Sequence, residues 1–175
     1  MQEVPLDAGL ILCCMRGDQN HKENIETIRV AKKYLGYGVC AVDLAGAEAL
    51  FPTGSFSEEF KKIREEGIPF TIHAGEADGP DSVRQALDFG ATRIGHGVRS
   101  LEDEALVRRL AQEGTTLELC PTSNLNTAIF ESMDHYPLRQ YLDAGVNVTI
   151  NTDNTSVSNT SIQNEFQKLE ETFAL

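Results

Sequence analysis

Long apolar runs are absent from this sequence, and so is any cluster of basic residues. No stretch of about 18 apolar residues is available to cross a bilayer. The N-terminus also lacks the basic segment, apolar stretch and small-residue cleavage site of a secretory signal peptide. We therefore expect no membrane partner and a cytoplasmic location.

Positive charge is scarce throughout the chain. There are 15 Lys and Arg residues against 27 Asp and Glu residues, which gives a formal net charge of −12. A protein of that sign repels the phosphate backbone of nucleic acids at long range, and no basic patch with interleaved aromatic residues offsets the repulsion. We therefore expect no nucleic-acid partner.

Cysteine is limited to Cys13, Cys14, Cys40 and Cys120, and no two of them form a CxxC pair or a zinc-finger spacing. Three of the four lie inside apolar, strand-like runs, and Cys120 ends another. This placement is typical of reduced core residues in a reducing compartment, which agrees with the cytoplasm.

The chain does contain a regular alternation of short β-rich runs with helical patterns of about 10 to 15 residues, which is typical of βαβ units around a parallel sheet. Strands are predicted at Leu10–Met15, Val39–Leu44, Ile68–His73, Thr92–His96, Thr116–Cys120 and Val146–Thr152. Because no linker interrupts the alternation, residues 1–175 are predicted to form a single α/β domain.

A complete (β/α)₈ TIM barrel takes roughly 250 residues, or about 30 for each βα unit. The six predicted units fit that spacing, so we predict a partial (β/α)₈ barrel that holds barrel strands 3 to 8 and the C-terminal helix and lacks the first two strands. An open flavodoxin-like sheet has a similar strand count. Its phosphate-binding glycine loop is absent here, since the first strand ends in Cys13-Cys14-Met15-Arg16-Gly17.

Polar residues stand at the C-terminal ends of the predicted strands, where a parallel barrel builds its active site. They are Asp43 and Gly46 after the second strand, His73 and Glu76 after the third, His96 after the fourth, Asn124 after the fifth, and Asp153 and Asn154 after the sixth. Side chains from these strand ends are expected to converge on one pocket.

Taken alone, each of these residues is weak evidence for a site. His73 could cap a loop, Asp153 suits an Asx-type turn, and His96 lies between two glycines, where the backbone is free to approach a ligand closely. Their recurrence on successive strand ends favours a shared pocket, because imidazole and carboxylate groups there can supply metal ligands and a proton donor.

Five short motifs occur in order along nearly the whole chain. They are DLAG at 43–46, HAGE at 73–76, GHGVR at 95–99, ELCPTSN at 118–124 and NTDN at 151–154. In this order and spacing they resemble the adenosine deaminase family. The resemblance implies a (β/α)₈ barrel with one Zn²⁺ at the strand ends. It also implies hydrolysis of adenosine or 2′-deoxyadenosine to the inosine product and ammonia.

The resemblance further implies a role for individual residues. His73 and Asp153 would be zinc ligands. Glu76 would be the acid that protonates purine N1, with its pKa raised by burial, and His96 would orient the attacking water and help to deprotonate it. Gly46 would donate its backbone N–H to purine N3.

Two departures from the family pattern bear on these roles. Animal members have a second Asp after the zinc-binding Asp, where this chain has Asn154, whose amide N–H would donate to purine N7 at any pH. The family also takes two zinc ligands from an His-x-His pair, which does not occur here; His21 and His135 are predicted to be solvent-side residues. We therefore expect a C-terminal fragment that is inactive alone and self-associates through exposed sheet edges.

Other interpretations stay open. An adenine deaminase of the same superfamily would share the fold, and a nucleotide deaminase would need basic residues for phosphate, for which the rim loops offer chiefly Arg16 and Arg99. A non-catalytic purine-binding module that has lost its metal is an alternative of a different class. A cytidine deaminase of the zinc type is disfavoured, because its H-x-E and P-C-x-x-C signature is absent.

Overall fold

Residues 8–174 are described by a computed structural model of the chain. Its strands are β1 (Leu10–Met15), β2 (Val39–Ala45), β3 (Ile72–Ala74), β4 (Arg93–His96), β5 (Thr116–Leu119) and β6 (Asn147–Ile150). Its helices are α1 (His21–Tyr34), α2 (Ser57–Glu65), α3 (Pro80–Asp88), α4 (Glu104–Glu113), α5 (Pro121–Asn126), α6 (Leu138–Asp143), α7 (Thr155–Ser158) and α8 (Ile162–Phe173). The single domain predicted for residues 1–175 includes residues 1–7 and 175, which lie outside the described residues, and it stays a prediction.

The strands run parallel and are ordered in space as they are along the chain. β1 pairs with β2, and β3 to β6 form a second ladder. One parallel bridge joins the ladders: the Val42 N–H donates to the Pro69 carbonyl and the Thr71 N–H to the Val42 carbonyl, each at 3.0 Å. The predicted α/β class and partial (β/α)₈ barrel of six βα units are therefore confirmed.

The third strand is shorter than predicted, because it begins at Ile72 and not at Ile68. Proline has no backbone N–H to donate to a ladder, and Pro69 interrupts the segment that leads into β3. That segment contacts β2 through the bridge at Phe70 instead of lengthening the β3–β4 ladder. The other five strands lie within two residues of their predicted limits.

The apolar faces of strands and helices meet in one buried cluster. β3, β4 and β5 contribute Ile72, Ile94 and Leu117, all fully buried. From α2, the buried ring of Phe60 stacks on that of Phe89, with centroids 5.4 Å apart. Burying each such side chain stabilises the fold by about 1.5–3 kcal/mol, so this packing holds the strands that carry the polar rim in place.

β1 and β6 are the outer strands, and within residues 8–174 neither has a strand partner on its outer side. Leu10, Ile11 and Met15 of β1 are exposed, as is Phe166 on the helix beside β6. Over the same range no helix is both long and apolar enough to cross a membrane.

The four cysteines are free thiols, and Cys14 and Cys120 are buried as predicted. The prediction of core positions is wrong for Cys13 and Cys40, which are exposed, because successive residues of a strand face opposite sides of the sheet.

Arg16 follows β1 directly, and its buried guanidinium ties the first ladder to the second. Its Nη1 donates to the Phe51 carbonyl (2.7 Å), and its Nη2 donates to the Thr53 hydroxyl (2.9 Å) and the His73 carbonyl (2.6 Å). The guanidinium carbon also lies 5.7 Å from the ring centroid of Phe56. Arg16 thus holds the backbone of a predicted site residue from the neighbouring ladder.

Glu48 is a second connection between the ladders, and it holds the loop that carries Glu76. Its buried carboxylate accepts four successive backbone N–H groups and one hydroxyl, from Gly75 (2.6 Å), Glu76 (3.1 Å), Ala77 (2.8 Å), Asp78 (3.0 Å) and Ser82 (2.5 Å). Burial raises the pKa of Glu48, but the Ser82 hydroxyl and the backbone N–H groups outweigh it, so the pKa is lowered overall. A carboxylate so well solvated by donors stays ionised in the fold.

Replacing Glu48 with Gln removes this charge and turns one acceptor oxygen into a donor that faces N–H groups. We expect the free energy of unfolding near neutral pH to fall by about 2 kcal/mol, because hydrogen bonds to charged groups are the stronger class. Since the pKa of Glu48 is lower in the folded chain, its stabilisation is complete above the unfolded pKa and is lost as the pH falls through the folded pKa. Urea titrations at neutral and acid pH would measure the difference.

Glu58→Gln is the matched control, because Glu58 is exposed at the start of α2. It should change the free energy of unfolding by less than about 0.5 kcal/mol at either pH. Equal losses in the two variants, or a Glu48→Gln loss that does not shrink in acid, would contradict the role given to Glu48.

Candidate active site

The structure brings four polar side chains together at the C-terminal ends of β3, β4 and β5. They are His73, Glu76, His96 and Asn124, which we call the strand-end cluster. His73 lies within β3, Glu76 two residues beyond it, His96 at the end of β4, and Asn124 in α5, which follows β5. The sequence placed these residues on one rim because parallel strands end on the same side of the sheet, and their contacts agree with that placement.

His73 is held from the neighbouring strand β2. Its Nδ1 lies 2.8 Å from the buried Asp43 carboxylate, and its ring centroid lies 5.1 Å from that of His96. Burial lowers the pKa of His73, but the close, negatively charged Asp43 carboxylate outweighs it, so the pKa is raised overall. A carboxylate on one ring nitrogen leaves the other as a potential metal ligand.

Glu76 has its two carboxylate oxygens on different neighbours. Oε2 lies 3.5 Å from His96 Nε2, and Oε1 accepts from the Asn124 amide at 3.4 Å. Burial is the largest effect on its pKa, and the negative charge of Asp153 adds to it, so the pKa of Glu76 is raised despite the opposing charge of His73. A carboxyl group that retains a proton to higher pH is suited to act as an acid.

His96 is almost fully buried, and its backbone is left-handed, with φ of 60°. Such a conformation is strained for a residue other than glycine and is concentrated at functional sites. Burial first, and then the charge of His73, lower the pKa of His96 to about 4. The imidazole is therefore neutral near pH 7.

Asn124 is fully buried and contacts both titratable neighbours, although only its position on the rim drew attention to it in the sequence. Its amide nitrogen lies 3.1 Å from His96 Nδ1, and its Oδ1 accepts from the Tyr136 hydroxyl at 3.1 Å. Tyr136, like Glu48, was missed, because neither belongs to a strand end and only tertiary distance reveals its contacts.

Asp153 and Asn154 follow β6 at the same rim. Asp153 also has a left-handed backbone, with φ of 54°, and its carboxylate accepts from the Ser123 hydroxyl at 2.8 Å. Its charge acts on the pKa of both histidines of the strand-end cluster. Asn154 is the N-cap of α7, since its Oδ1 accepts from the Ser156 and Val157 N–H groups at 3.1 and 3.0 Å.

Gly46 lies just beyond β2 with φ of 112°, a conformation that favours glycine. A Cβ there would come within 3.3 Å of the Arg16 side chain. Within residues 8–174 its backbone N–H donates to no protein acceptor. This N–H group is therefore available to an acceptor from outside the described residues.

The donor types of His73 and Asp153 fit a zinc site, but their number does not complete one. Catalytic zinc normally takes three protein ligands from His, Asp, Glu or Cys. In the part of the chain that the structure describes, no group of three such residues could hold a metal ion. The described residues therefore supply part of a metal site at most.

Neither arginine considered for phosphate is free for it. Arg16 is committed to the contacts described above, and the Nε of Arg99 donates to Glu102 at 2.6 Å. Arg99 and Glu76 line a cavity of about 510 Å³ together with Phe130 and other residues of the β4 and β5 loops. Since the cavity includes none of the other predicted site residues, it lies beside the strand-end cluster.

Comparison with known proteins gives one consistent result. The adenosine deaminase family model matches residues 1–175. The adenosine deaminase of Haemophilus ducreyi is 54% identical over 171 residues, which cover 96% of this chain and 50% of that protein. The adenosine deaminase of Clostridium kluyveri is 42% identical over 163 residues, which cover 93% of this chain and 47% of that protein.

Solved structures agree with the sequence relatives. An adenine deaminase from Arthrobacter aurescens superposes with a TM-score of 0.84 at 27% identity, over 95% of this chain and 50% of its own. The N6-methyl-AMP deaminase of Arabidopsis thaliana gives a TM-score of 0.87 at 25% identity, over 95% and 49%. The chain spans about half the length of the curated relatives that it matches. Across that half, it belongs to the adenosine deaminase family.

Proposed function

We propose that the protein to which this chain belongs hydrolyses adenosine and 2′-deoxyadenosine to inosine and 2′-deoxyinosine with release of ammonia. The observation that carries the proposal is the pairing of Glu76, whose pKa is raised, with the neutral imidazole of His96 at the barrel rim. The 54% identity to the Haemophilus ducreyi adenosine deaminase supports the same substrate.

Glu76 is the proposed general acid. Transfer of its proton to purine N1 withdraws electron density from C6, so that water can add there. One proton of that water passes to the amino group, which leaves as ammonia, and the C6 hydroxyl returns a proton to the Glu76 carboxylate as the carbonyl of inosine forms. Because the pKa of Glu76 is raised by burial, more of it holds the required proton near neutral pH than an exposed glutamate would. The carboxylate that remains accepts from the Asn124 amide at 3.4 Å, and its other oxygen lies 3.5 Å from His96 Nε2.

His73 and Asp153 are the proposed ligands that this chain contributes to a Zn²⁺ ion. With Zn²⁺ bound, the pKa of water would be lowered to about 7, which would make a nucleophile available near neutrality. Because two ligands fall short of a catalytic site, the isolated chain is proposed to be inactive until further ligands are supplied. His96 is proposed to orient the nucleophile, and its ring centroid, 5.1 Å from that of His73, supports this role.

Gly46 and Asn154 are the proposed purine contacts. The unpaired N–H of Gly46 donates to purine N3. The α7 cap fixes the oxygen of the Asn154 amide on backbone N–H groups, so its Nδ2 remains as a donor for purine N7.

Adenine deamination is the second candidate, favoured by the likeness to the Arthrobacter aurescens enzyme at 27% identity. A nucleotide substrate is less favoured, because Arg16 and Arg99 are engaged within the chain. We further propose that the protein acts in purine metabolism and has no nucleic-acid or membrane partner. A cytoplasmic location is proposed as well, and the four free thiols support it.

A hybrid enzyme tests the proposed function directly. This chain would replace the matching half of the Haemophilus ducreyi adenosine deaminase, whose remaining half supplies the rest of the barrel. We expect the zinc-loaded hybrid to convert adenosine, followed by its ultraviolet absorbance, while the 175-residue chain with zinc alone does not. Preference for adenine would favour the second candidate, and a folded, zinc-loaded hybrid inert towards both would contradict the proposal.

Glu76→Gln in the hybrid should lower kcat by about 100-fold or more, since general acid catalysis contributes about 10²–10⁴. KM should change little, because the amide occupies the same space. Glu104→Gln, at an exposed position on α4, is the control and should leave both constants unchanged. A Glu76→Gln enzyme within tenfold of its parent would remove Glu76 from the role of acid.

Asn154→Asp in the hybrid keeps the α7 cap but replaces the amide donor with a carboxylate. The carboxylate must be protonated to donate to purine N7, so KM should rise as the pH increases, whereas the KM of the parent should not follow that trend. Steady-state kinetics across pH would show the difference. Asn154→Leu removes cap and donor together, and an unchanged KM in both variants would contradict the contact.

The unpaired outer sides of β1 and β6 are the proposed surfaces for self-association of the isolated chain. Analytical ultracentrifugation should detect dimers or larger species, strengthened by salt because it screens the net charge of −12. Ile11→Lys on β1 should weaken association, and Val157→Lys on the exposed helix α7 should not. A monomer at every concentration and salt level would contradict the proposal.

A further inference from the structure

A buried chain of hydrogen bonds runs from Tyr136 through Asn124 to the two titratable residues of the strand-end cluster. Tyr136 is 1% exposed and Asn124 fully buried, so water does not compete for their polar groups. Tyr136 lies in the segment before α6, 12 residues along the chain from Asn124. Its ring packs against Phe130 with centroids 5.3 Å apart.

The surroundings of Asn124 determine which way its amide faces. Its two N–H groups point to Glu76 Oε1 at 3.4 Å and His96 Nδ1 at 3.1 Å, while its oxygen accepts the Tyr136 hydroxyl at 3.1 Å. Turning the amide over would set its oxygen against a carboxylate oxygen. It would also remove the oxygen that accepts from the buried Tyr136 hydroxyl.

The amide in turn determines the tautomer of His96. Because Asn124 donates to Nδ1, that nitrogen holds the lone pair, and a neutral imidazole must carry its proton on Nε2. The Nε2 side is the one that faces Glu76, with Oε2 at 3.5 Å.

We propose that Asn124, locked by Tyr136, is a positioning residue that keeps His96 in the Nε2–H tautomer and orients the Glu76 carboxyl group. The catalytic meaning of this proposal rests on the proposed deaminase function. In that reaction His96 presents a donor from Nε2, so it orients an oxygen by hydrogen bonding and does not remove its proton. This narrows the role of His96 expected from the family resemblance, which included deprotonation.

Nitrogen NMR of the imidazole rings tests the proposal without any catalysis. The 175-residue chain would be labelled with ¹⁵N, stripped of metal with a chelator and studied near neutral pH, where the shifts of Nδ1 and Nε2 distinguish a bare from a protonated nitrogen. The chain has only four histidines, and His96→Gln identifies the signals of His96. We expect Nε2–H to exceed Nδ1–H by about tenfold or more in the parent.

Two variants change different members of this chain of hydrogen bonds. Asn124→Asp places an acceptor against Nδ1, so the tautomer should invert to Nδ1–H. Tyr136→Phe keeps the ring but removes the hydroxyl that locks the amide, so the excess of Nε2–H should fall towards parity. If the buried charge of Asn124→Asp prevents folding, the parent and Tyr136→Phe decide between the outcomes.

Tyr141→Phe is the matched control. Tyr141 is also buried, and its hydroxyl bonds to Ser100 and to the carbonyls of Gly97 and Val98, so its loss weakens the core without touching the Asn124 amide. The tautomer of His96 should stay unchanged in this variant.

An Nδ1–H tautomer in the parent would overturn the proposal, as would a Tyr136→Phe ring identical to the parent or an equal change in Tyr141→Phe. These results are independent of the hybrid enzyme assay. An inactive hybrid with the expected His96 tautomers would contradict only the proposed deaminase function. An active hybrid with the Nδ1–H tautomer would contradict only the role proposed for Asn124.

Discussion

The Glu48 carboxylate is the interaction on which the geometry of the site most depends. Four successive N–H groups after β3 point inward to one buried acceptor, so the loop that carries Glu76 has little freedom to adopt another path. Without that acceptor these N–H groups, of which that of Gly75 is buried and the others are partly buried, would lose their partner, and the loop would have to open to water to satisfy them. Glu76 therefore owes its place beside His96 to a residue of the preceding βα unit.

Much of the fold could be predicted from the sequence, because its strands are short apolar runs separated by helical patterns and glycines. The parallel order then placed His73, His96 and Asp153 on one rim with no further information. β3 was predicted too long because Ile68 and Phe70 are apolar and β-prone, while the effect of Pro69 on the ladder depends on which strand lies alongside. The local sequence pattern indicates which residues are buried, but the pairing of strands depends on tertiary contacts.

The candidate site was predicted less completely than the fold. Residues at strand ends were identifiable, since polar side chains break an apolar run at a definite place. Glu48 and Tyr136 act from loops or segments whose own neighbours in sequence give no sign of a buried contact. Arg16 follows β1 and was considered only for phosphate, so its bond to the His73 carbonyl was not predicted. Asn154 shows a related limit: its residue type suited a purine donor, but its cap of α7 follows from a four-residue helix that the sequence did not reveal.

The seam between the two ladders has a mechanical consequence. Within residues 8–174 a single bridge of backbone hydrogen bonds crosses it. Three side chains cross it as well: Arg16 contacts the His73 carbonyl, Asp43 the His73 ring, and Glu48 the loop before α3. Because Arg16 and Asp43 both contact His73, a displacement of β1 and β2 along β3 would also move the His73 imidazole. The position of this side chain at the rim thus depends on how the two ladders are aligned.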